Sequence, residues 1–262
     1  MAGAGARKVT LADSKQVVAL IHGIRTDAAW AERVTRILSA DADVIVEPLR
    51  YDRFDLLRFL CPVFTRSGPI QEISEKLRAI QEFNKDRDLS IVAHSFGAHI
   101  VATILRRDSF FKTKRVILCG SVIRRKYNWS DVAHKIAERK VLNDCGSKDV
   151  LPILAQNSTF GYGATGTFGF GHPKVRDRFH EAAHSDFFDD AFVKMYWVPY
   201  ITDGTITGSA WEQSGKSRSP WWFVLVRFTP VRWLLIAALF WLATSWAGGT
   251  AAGPQLRGLL GL

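Results

Sequence analysis

The stretch "IVAHSFGAHI", Ile91–Ile100, changes character at its centre. Ile91 and Val92 are β-branched and belong to "LSIVAH", which reads as a buried strand of a parallel sheet. From Ala98 to Leu105 the chain reads as a helix. Ser95 therefore stands on a direct strand-to-helix turn, and two readings compete for it. It is either a helix N-cap, accepting a backbone N–H, or an exposed nucleophile on a strained turn. The second needs small residues two before and two after, and Ala93 and Gly97 are there. Such a turn aims Oγ out of the sheet, and the N–H of Phe96 lies at a helix N-terminus that favours developing negative charge.

Outward from this turn the same alternation repeats. "VVALIH", Val17–His22, is an unbroken apolar run ending on His-Gly. Trp30, Val34, Ile37 and Leu38 then recur at helical spacing, "DVIVEPL" gives a second strand, and Ile73, Leu77, Ile80 and Phe83 mark an amphipathic helix. Beyond Ser95 come the strand "RVILCGS", a helix carrying Val132 and Ile136 with Ser130 as its N-cap, and the strand "KVLND". Strands alternating with helices predict an α/β fold: a mostly parallel central sheet, right-handed crossovers and helices on both faces. Function then belongs at the carboxyl ends of the strands.

With Ala93-His94-Ser95-Phe96-Gly97 in the place of the G-x-S-x-G nucleophile elbow, the chain resembles the α/β-hydrolase superfamily, in its lipase-like serine esterase branch. Ala93 departs mildly from the consensus glycine. The resemblance covers about Val17 to Trp197 and implies the α/β-hydrolase fold. It also implies an oxyanion loop after the early strand ending in His22-Gly23, with the backbone N–H groups of Ile24 and Phe96 as donors. His22 is expected to hold that loop, and Arg25 to pair on the surface. The superfamily's chain order is nucleophile, acid, base. Gly146-Ser147-Lys148-Asp149 matches its acid turn, so Asp149 is the implied acid and Asp144 the reserve. "AAHSDFF" matches the loop before the last helix, so His184 is the implied base, ahead of His172 and His180. His94 is expected to line the pocket or pack beneath the elbow, and His99 to lie on the following helix. No cofactor and no metal are implied, and the scattered His and Cys have no zinc-ligand spacing.

The chain has 262 residues and a formal net charge of +10. Its cations are interspersed with Asp and Glu and form no basic stripe, which argues against nucleic acid. Three cysteines without pairing pattern fit a reducing compartment. The N-terminal "MAGAGARKVTLADSKQ" lacks the apolar core of a secretory signal, so the expected location of the main domain is the cytoplasm. From Trp233 through Leu256 no residue is charged, longer than the about 20 residues a transmembrane helix needs. Lys216, Arg218, Arg227 and Arg232 precede this span and Arg257 follows it, which by the positive-inside rule keeps the large domain cytoplasmic.

The expected organisation is an N-terminal tail (1–16), a hydrolase domain (17–205), a basic and aromatic linker (206–232), a transmembrane helix (233–254) and a short tail (255–262). Between the last two strand-like segments and the linker, "FGYGATGTFGFG", Phe160–Gly171, has no helix or strand period. It is either a flexible surface loop or a cover over an apolar pocket, with Phe160, Phe168 and Phe170 suited to an acyl chain. The sequence thus points to a membrane-anchored serine hydrolase acting on carboxylic esters, with acyl lipid as substrate. A thioesterase or amidase with the same residues, and a catalytically silent hydrolase fold that binds a protein partner, remain as alternatives.

Overall fold

The computed structural model describes residues 15–23, 28–51, 56–61, 65–213, 219–229 and 231–249. In chain order the sheet-bearing part runs β1 Gln16–Ile21, α1 Ala28–Asp41, β2 Ile45–Leu49, α2 Leu56–Leu60, α3 Ser67–Phe83 and β3 Asp88–His94. It continues α4 Phe96–Arg107, β4 Val116–Cys119, α5 Trp129–Val132, β5 Val141–Gly146, α6 Leu151–Ser158, α7 Thr165–Phe168 and β6 Val175–His180. A helical stretch follows, with α8 Asp190–Phe192, a π-helical turn at Val193–Trp197 and α9 Val198–Asp203. Three more helices complete the described chain: α10 Ala210–Gln213, α11 Trp222–Arg227 and α12 Val231–Gly249.

The six strands form one parallel sheet in the order β2-β1-β3-β4-β5-β6. Strand alternation divides the core into two layers, as a period of two requires. Val17, Ala19, Ile21, Ile91 and Ala93 face the layer built with Ile73 and Leu77 of α3 and Ile100 and Ile104 of α4. Val18, Leu20, Val92 and Ile117 face the opposite layer, with Val34 and Leu38 of α1 and Trp197 and Ile201. Pro48 is tolerated in β2 because that strand is an edge. The chain leaves β1 toward β2 and then returns to put β3 on the other side of β1. The order reverses there, so a crevice opens at the carboxyl ends of β1 and β3, the usual ligand position in open α/β sheets.

Several expectations need correction. Asn128, not Ser130, caps α5, its side chain accepting the Ser130 N–H at 3.2 Å. The glycine-aromatic segment is not a bare loop: it contains α7, and Tyr162, Thr165, Thr167 and Phe170 are buried. Its three phenylalanines share no pocket. Phe170 joins the α3/α4 core layer, Phe168 packs near α11, and Phe160 is exposed beside Trp233, 6.4 Å between rings. Residues 209–213, expected as linker, lie along β6: Ser209 Oγ donates to the Phe179 carbonyl and Glu212 pairs with Arg176 at 3.1 Å.

Among the described residues one candidate span, Trp222–Ser245, which takes in α11 and most of α12, is long and apolar enough to cross a membrane by length and composition, with a mean hydropathy of 1.8 over an 18-residue window. Only 6% of that window is buried, unlike the core helix of a soluble domain. Its start is docked: Phe223 is buried against Ile153 and Ala164, and Asn157 Nδ2 donates to the Val226 carbonyl at 2.5 Å.

Candidate active site

Ser95 is the link between β3 and α4, and its backbone decides between the two readings of the sequence. An N-cap serine holds an extended φ and accepts a backbone N–H with its side chain. Ser95 has φ 55° and ψ −118°, and its side chain makes no capping bond. A non-glycine residue at positive φ costs of order 1–3 kcal/mol and persists only where its surroundings impose it. Here they do: the Ser95 N–H donates to the Cys119 carbonyl of β4 at 3.0 Å, and its own carbonyl accepts the Ala98 N–H at 3.1 Å. Gly97 completes the turn, because a Cβ there would stand 2.5 Å from the Ile21 carbonyl oxygen. The side-chain hydroxyl makes no hydrogen bond among the described residues.

The end of β1 supplies the opposite wall. His22 Nδ1–H donates to the Gly23 carbonyl at 2.6 Å, and its ring stacks on Tyr51 with centroids 4.5 Å apart. Tyr51, just beyond β2, donates its hydroxyl to the same carbonyl at 2.8 Å. Gly23 lies against the nucleophile candidate: a Cβ there would be 3.2 Å from Ser95 Oγ. Ile24 and Arg25 fall outside the described residues. Phe96, the other expected oxyanion donor, is buried as the first residue of α4.

Asp149 and His184 meet from the ends of β5 and β6. Asp149 sits on a turn closed by its N–H to the Gly146 carbonyl at 3.1 Å. Its Oδ2 accepts from His184 Nδ1 at 2.8 Å and its Oδ1 from the Leu151 N–H at 3.1 Å. The carboxylate is fully buried, whereas 16% of the His184 side chain is exposed. His94 fixes the other side of His184. Its Nε2–H donates to the His184 carbonyl at 3.0 Å, and the two rings lie 4.4 Å apart. Burial, reinforced by the His184 ring, holds the His94 pKa well below the ordinary imidazole value, so His94 is a neutral donor. Ser95 follows His94 directly, which brings nucleophile candidate, base candidate and acid candidate into one cluster.

Solved structures share this architecture. A predicted CIB-like hydrolase from Thermoplasma acidophilum superposes with a TM-score of 0.50 at 16% identity, over 74% of this chain and 89% of that one. An uncharacterized protein from Bacillus cereus does so with a TM-score of 0.51 at 15% identity, over 78% of this chain and 65% of that one. No protein-family model matches the sequence, and no curated protein matches it. The chain has the α/β-hydrolase fold.

Within this α/β-hydrolase fold the reserve acid lies elsewhere. Asp144, on β5, is fully buried and saturated: Arg178 donates at 2.6 and 3.0 Å, His180 Nε2 at 2.9 Å and Trp197 Nε1 at 2.9 Å. Burial alone would raise its pKa, but the Arg178 charge and the His180 hydrogen bond hold it well below the usual carboxylate range. It clasps β5 and β6 to the π-helical turn. His180 is thereby committed to Asp144, and His172 accepts the Lys174 N–H at 3.1 Å away from the elbow. His99 lies on α4 as expected, stacked on Phe96.

Two site residues escaped the sequence reading. Tyr51 holds the β1 loop, and its only signal was a polar aromatic just past a strand at the functional edge of the sheet. Gly120, at the end of β4, has φ 54°, and a Cβ there would stand 2.9 Å from the His184 ring and 3.3 Å from Asp149 Oδ2. The glycine after "VILC" was its signal.

Proposed function

We propose that this protein is a serine hydrolase that cleaves carboxylic esters with Ser95 as nucleophile, His184 as base and Asp149 as acid. The observation that carries the reading is the strained Ser95 turn, uncapped, beside a 2.8 Å His184–Asp149 pair. Asp149 engages Nδ1 of His184, which leaves Nε2 as the proton acceptor. Ser95 Oγ attacks the ester carbonyl while His184 takes its proton. The tetrahedral oxyanion is met by the N–H groups of Phe96 and Ile24, and collapse expels the alcohol, protonated by His184. Water, deprotonated by His184, then attacks the acyl-enzyme and releases the carboxylic acid.

The apolar C-terminal helix anchors the enzyme in a membrane, with the hydrolase domain on the cytoplasmic side, where the basic residues before the helix also lie. The substrate is an acyl lipid. The docking of α11 on α6, the helix that begins just after Asp149, supports this, because it brings the apolar segment to the carboxyl edge of the sheet.

One observation favours a second reading, a silent hydrolase fold acting as a binding module. Ser95 Oγ makes no hydrogen bond to His184, although such bonds are often long until substrate tightens the site. Fluorophosphonate labelling of detergent-solubilised protein with peptide mapping separates the two. Label on Ser95 that Ser95→Ala and His184→Ala both abolish supports the hydrolase. A folded wild type that takes no label supports the binding module, and a labelled protein that turns over thioesters or amides but no ester redirects the substrate class.

A further inference from the structure

A second pocket, of about 350 Å³, lies between the loop after β4 and the approach to the apolar C-terminal helix. Its lining includes Arg124, Arg125, Lys126, Arg227 and Phe168, and no carboxylate. None of the four cations forms an ion pair among the described residues, although arginines elsewhere on this chain do so, Arg36 with Asp190 and Arg78 with Asp108 among them. Two of the four are held in place. Arg125 Nε donates to the Phe170 carbonyl at 3.1 Å, and the Arg227 guanidinium lies 5.3 Å from the centre of the Phe168 ring. Arg227 is further fixed by its helix, because Phe223 and the Val226 carbonyl are both anchored on α6 and its end. Like charges gathered around one cavity repel each other unless an anion sits among them.

We propose that this pocket holds the phosphate of an anionic phospholipid. The proposal rests on the membrane reading given above, and adds a specific partner to it. Phosphate is an anion that arginine forks bind in bidentate geometry. A lipid is favoured over a soluble phosphate by what surrounds the pocket. Arg227 lies just ahead of α12, Trp221, Trp222 and Phe228 are exposed around it, and Arg232 stands 4.4 Å over the Phe160 ring. Aromatics and cations at the entry of an apolar helix are the residues of the headgroup level. The pocket is also coupled to the proposed active site through backbone. Thr165 Oγ1 donates to the Ile123 carbonyl at 2.9 Å, the Gly166 N–H donates to the Ser121 carbonyl at 2.7 Å, and Gly120 abuts His184. A lipid phosphate held here would orient the domain with the carboxyl edge of its sheet toward the bilayer.

The test uses the full chain as Ser95→Ala, so that no lipid is turned over, in a neutral detergent. It is titrated separately with dihexanoyl phosphatidic acid, dihexanoyl phosphatidylcholine and inorganic phosphate, and binding is read by native mass spectrometry. The expected result is saturable binding of phosphatidic acid, with phosphatidylcholine and inorganic phosphate each at least about tenfold weaker. Arg227→Gln weakens the acidic lipid about 5-fold and Arg124→Gln with Lys126→Gln about 25-fold, while Lys85→Gln changes nothing. Equal binding of the two lipids, or cation variants that bind like the parent, overturns the proposal. Inorganic phosphate binding as tightly as the lipid overturns the lipid assignment and leaves a soluble-anion site. Alkaline carbonate extraction from membranes reports on the anchor separately: a protein released by it removes the membrane reading, whatever the detergent titrations give.

Discussion

Replacing Gly120 by alanine tests the proposed site at a residue the sequence reading passed over. The new Cβ would stand 2.9 Å from His184 Cε1 and Nδ1. Carbon atoms in ordinary contact lie about 3.5–4.0 Å apart, so the imidazole must retreat by roughly 0.6–1 Å. It cannot retreat freely, because Asp149 holds its Nδ1 and His94 holds its backbone carbonyl. A misplacement of about 1 Å in a reacting constellation costs on the order of 10²-fold in rate. The second-order rate of fluorophosphonate labelling should therefore fall about 30- to 100-fold. Stability should fall much less: alanine at φ 54° costs about 1–2 kcal/mol, a Tm decrease of about 2–8 °C for a chain of this size.

Two controls separate displacement from backbone strain. Gly204→Ala carries a similar left-handed penalty at φ 85°, but its Cβ meets only the ends of the Arg115 and Glu138 side chains, at 3.3 Å or more. Gly68→Ala meets nothing within 4 Å. Both should label at the parent rate, and only Gly204→Ala should lose Tm. If Gly120→Ala labels as fast as the parent, His184 is not the base. If Gly204→Ala slows labelling equally, the loss comes from strain and the geometric reasoning fails.

Asp149→Asn keeps the Leu151 contact but removes the charge that orients His184, and should slow labelling about 10³–10⁴-fold with little change in Tm. Asp144→Asn should do the reverse: leaving Arg178 buried without its partner costs about 3–5 kcal/mol, while labelling per folded molecule is unchanged, as denaturant titration and labelling together would reveal. His94 stays neutral in the fold and titrates near 6.5 when unfolded, so the unfolded state binds more protons at acid pH. Its contribution is complete above about pH 6.5 and declines by about 1.4 kcal/mol per pH unit below it. In denaturant titrations between pH 7 and 5.5, His94→Phe should lose that part of the slope, and an unchanged slope would contradict a buried neutral histidine.

The fold was legible wherever hydrophobic periodicity carries the signal. Strands β1 and β4 are apolar because both faces are covered, and α1 and α3 present stripes that cover the sheet. What periodicity missed has a physical cause in each case. "VRDRFH", the edge strand β6, reads as polar because Arg176 is exposed, and its buried Arg178 is neutralised from β5 by Asp144. Asn128 and Ser130 are both good caps two residues apart, and only the path of the chain chooses between them. The glycines of 160–171 suggested mobility, yet Gly163 and Gly166 are there because backbone packs against them at 120–124.

The candidate site divides along the same line. Ser95 was legible because its turn is local: the strand, the helix and the small neighbours all lie within ten residues. Acid and base were singled out as Asp149 and His184 only through the resemblance of their turns, because two aspartates and two histidines stand at nearly the same separation. The parallel register of β5 and β6 produces both pairs, Asp144 with His180 and Asp149 with His184, 36 and 35 residues apart. No spacing rule distinguishes them. What does is the company each carboxylate keeps. Arg178 and Trp197, brought from β6 and the following π-helical turn, saturate Asp144 and bury its histidine with it. Asp149 lies past the end of its strand, where its second oxygen meets only a helix N-terminus and its histidine reaches His94 and Gly120 beside the elbow. A carboxylate locked to an arginine inside the sheet stabilises two strands. One held at the strand ends, facing a histidine with an accessible edge, can orient a proton transfer.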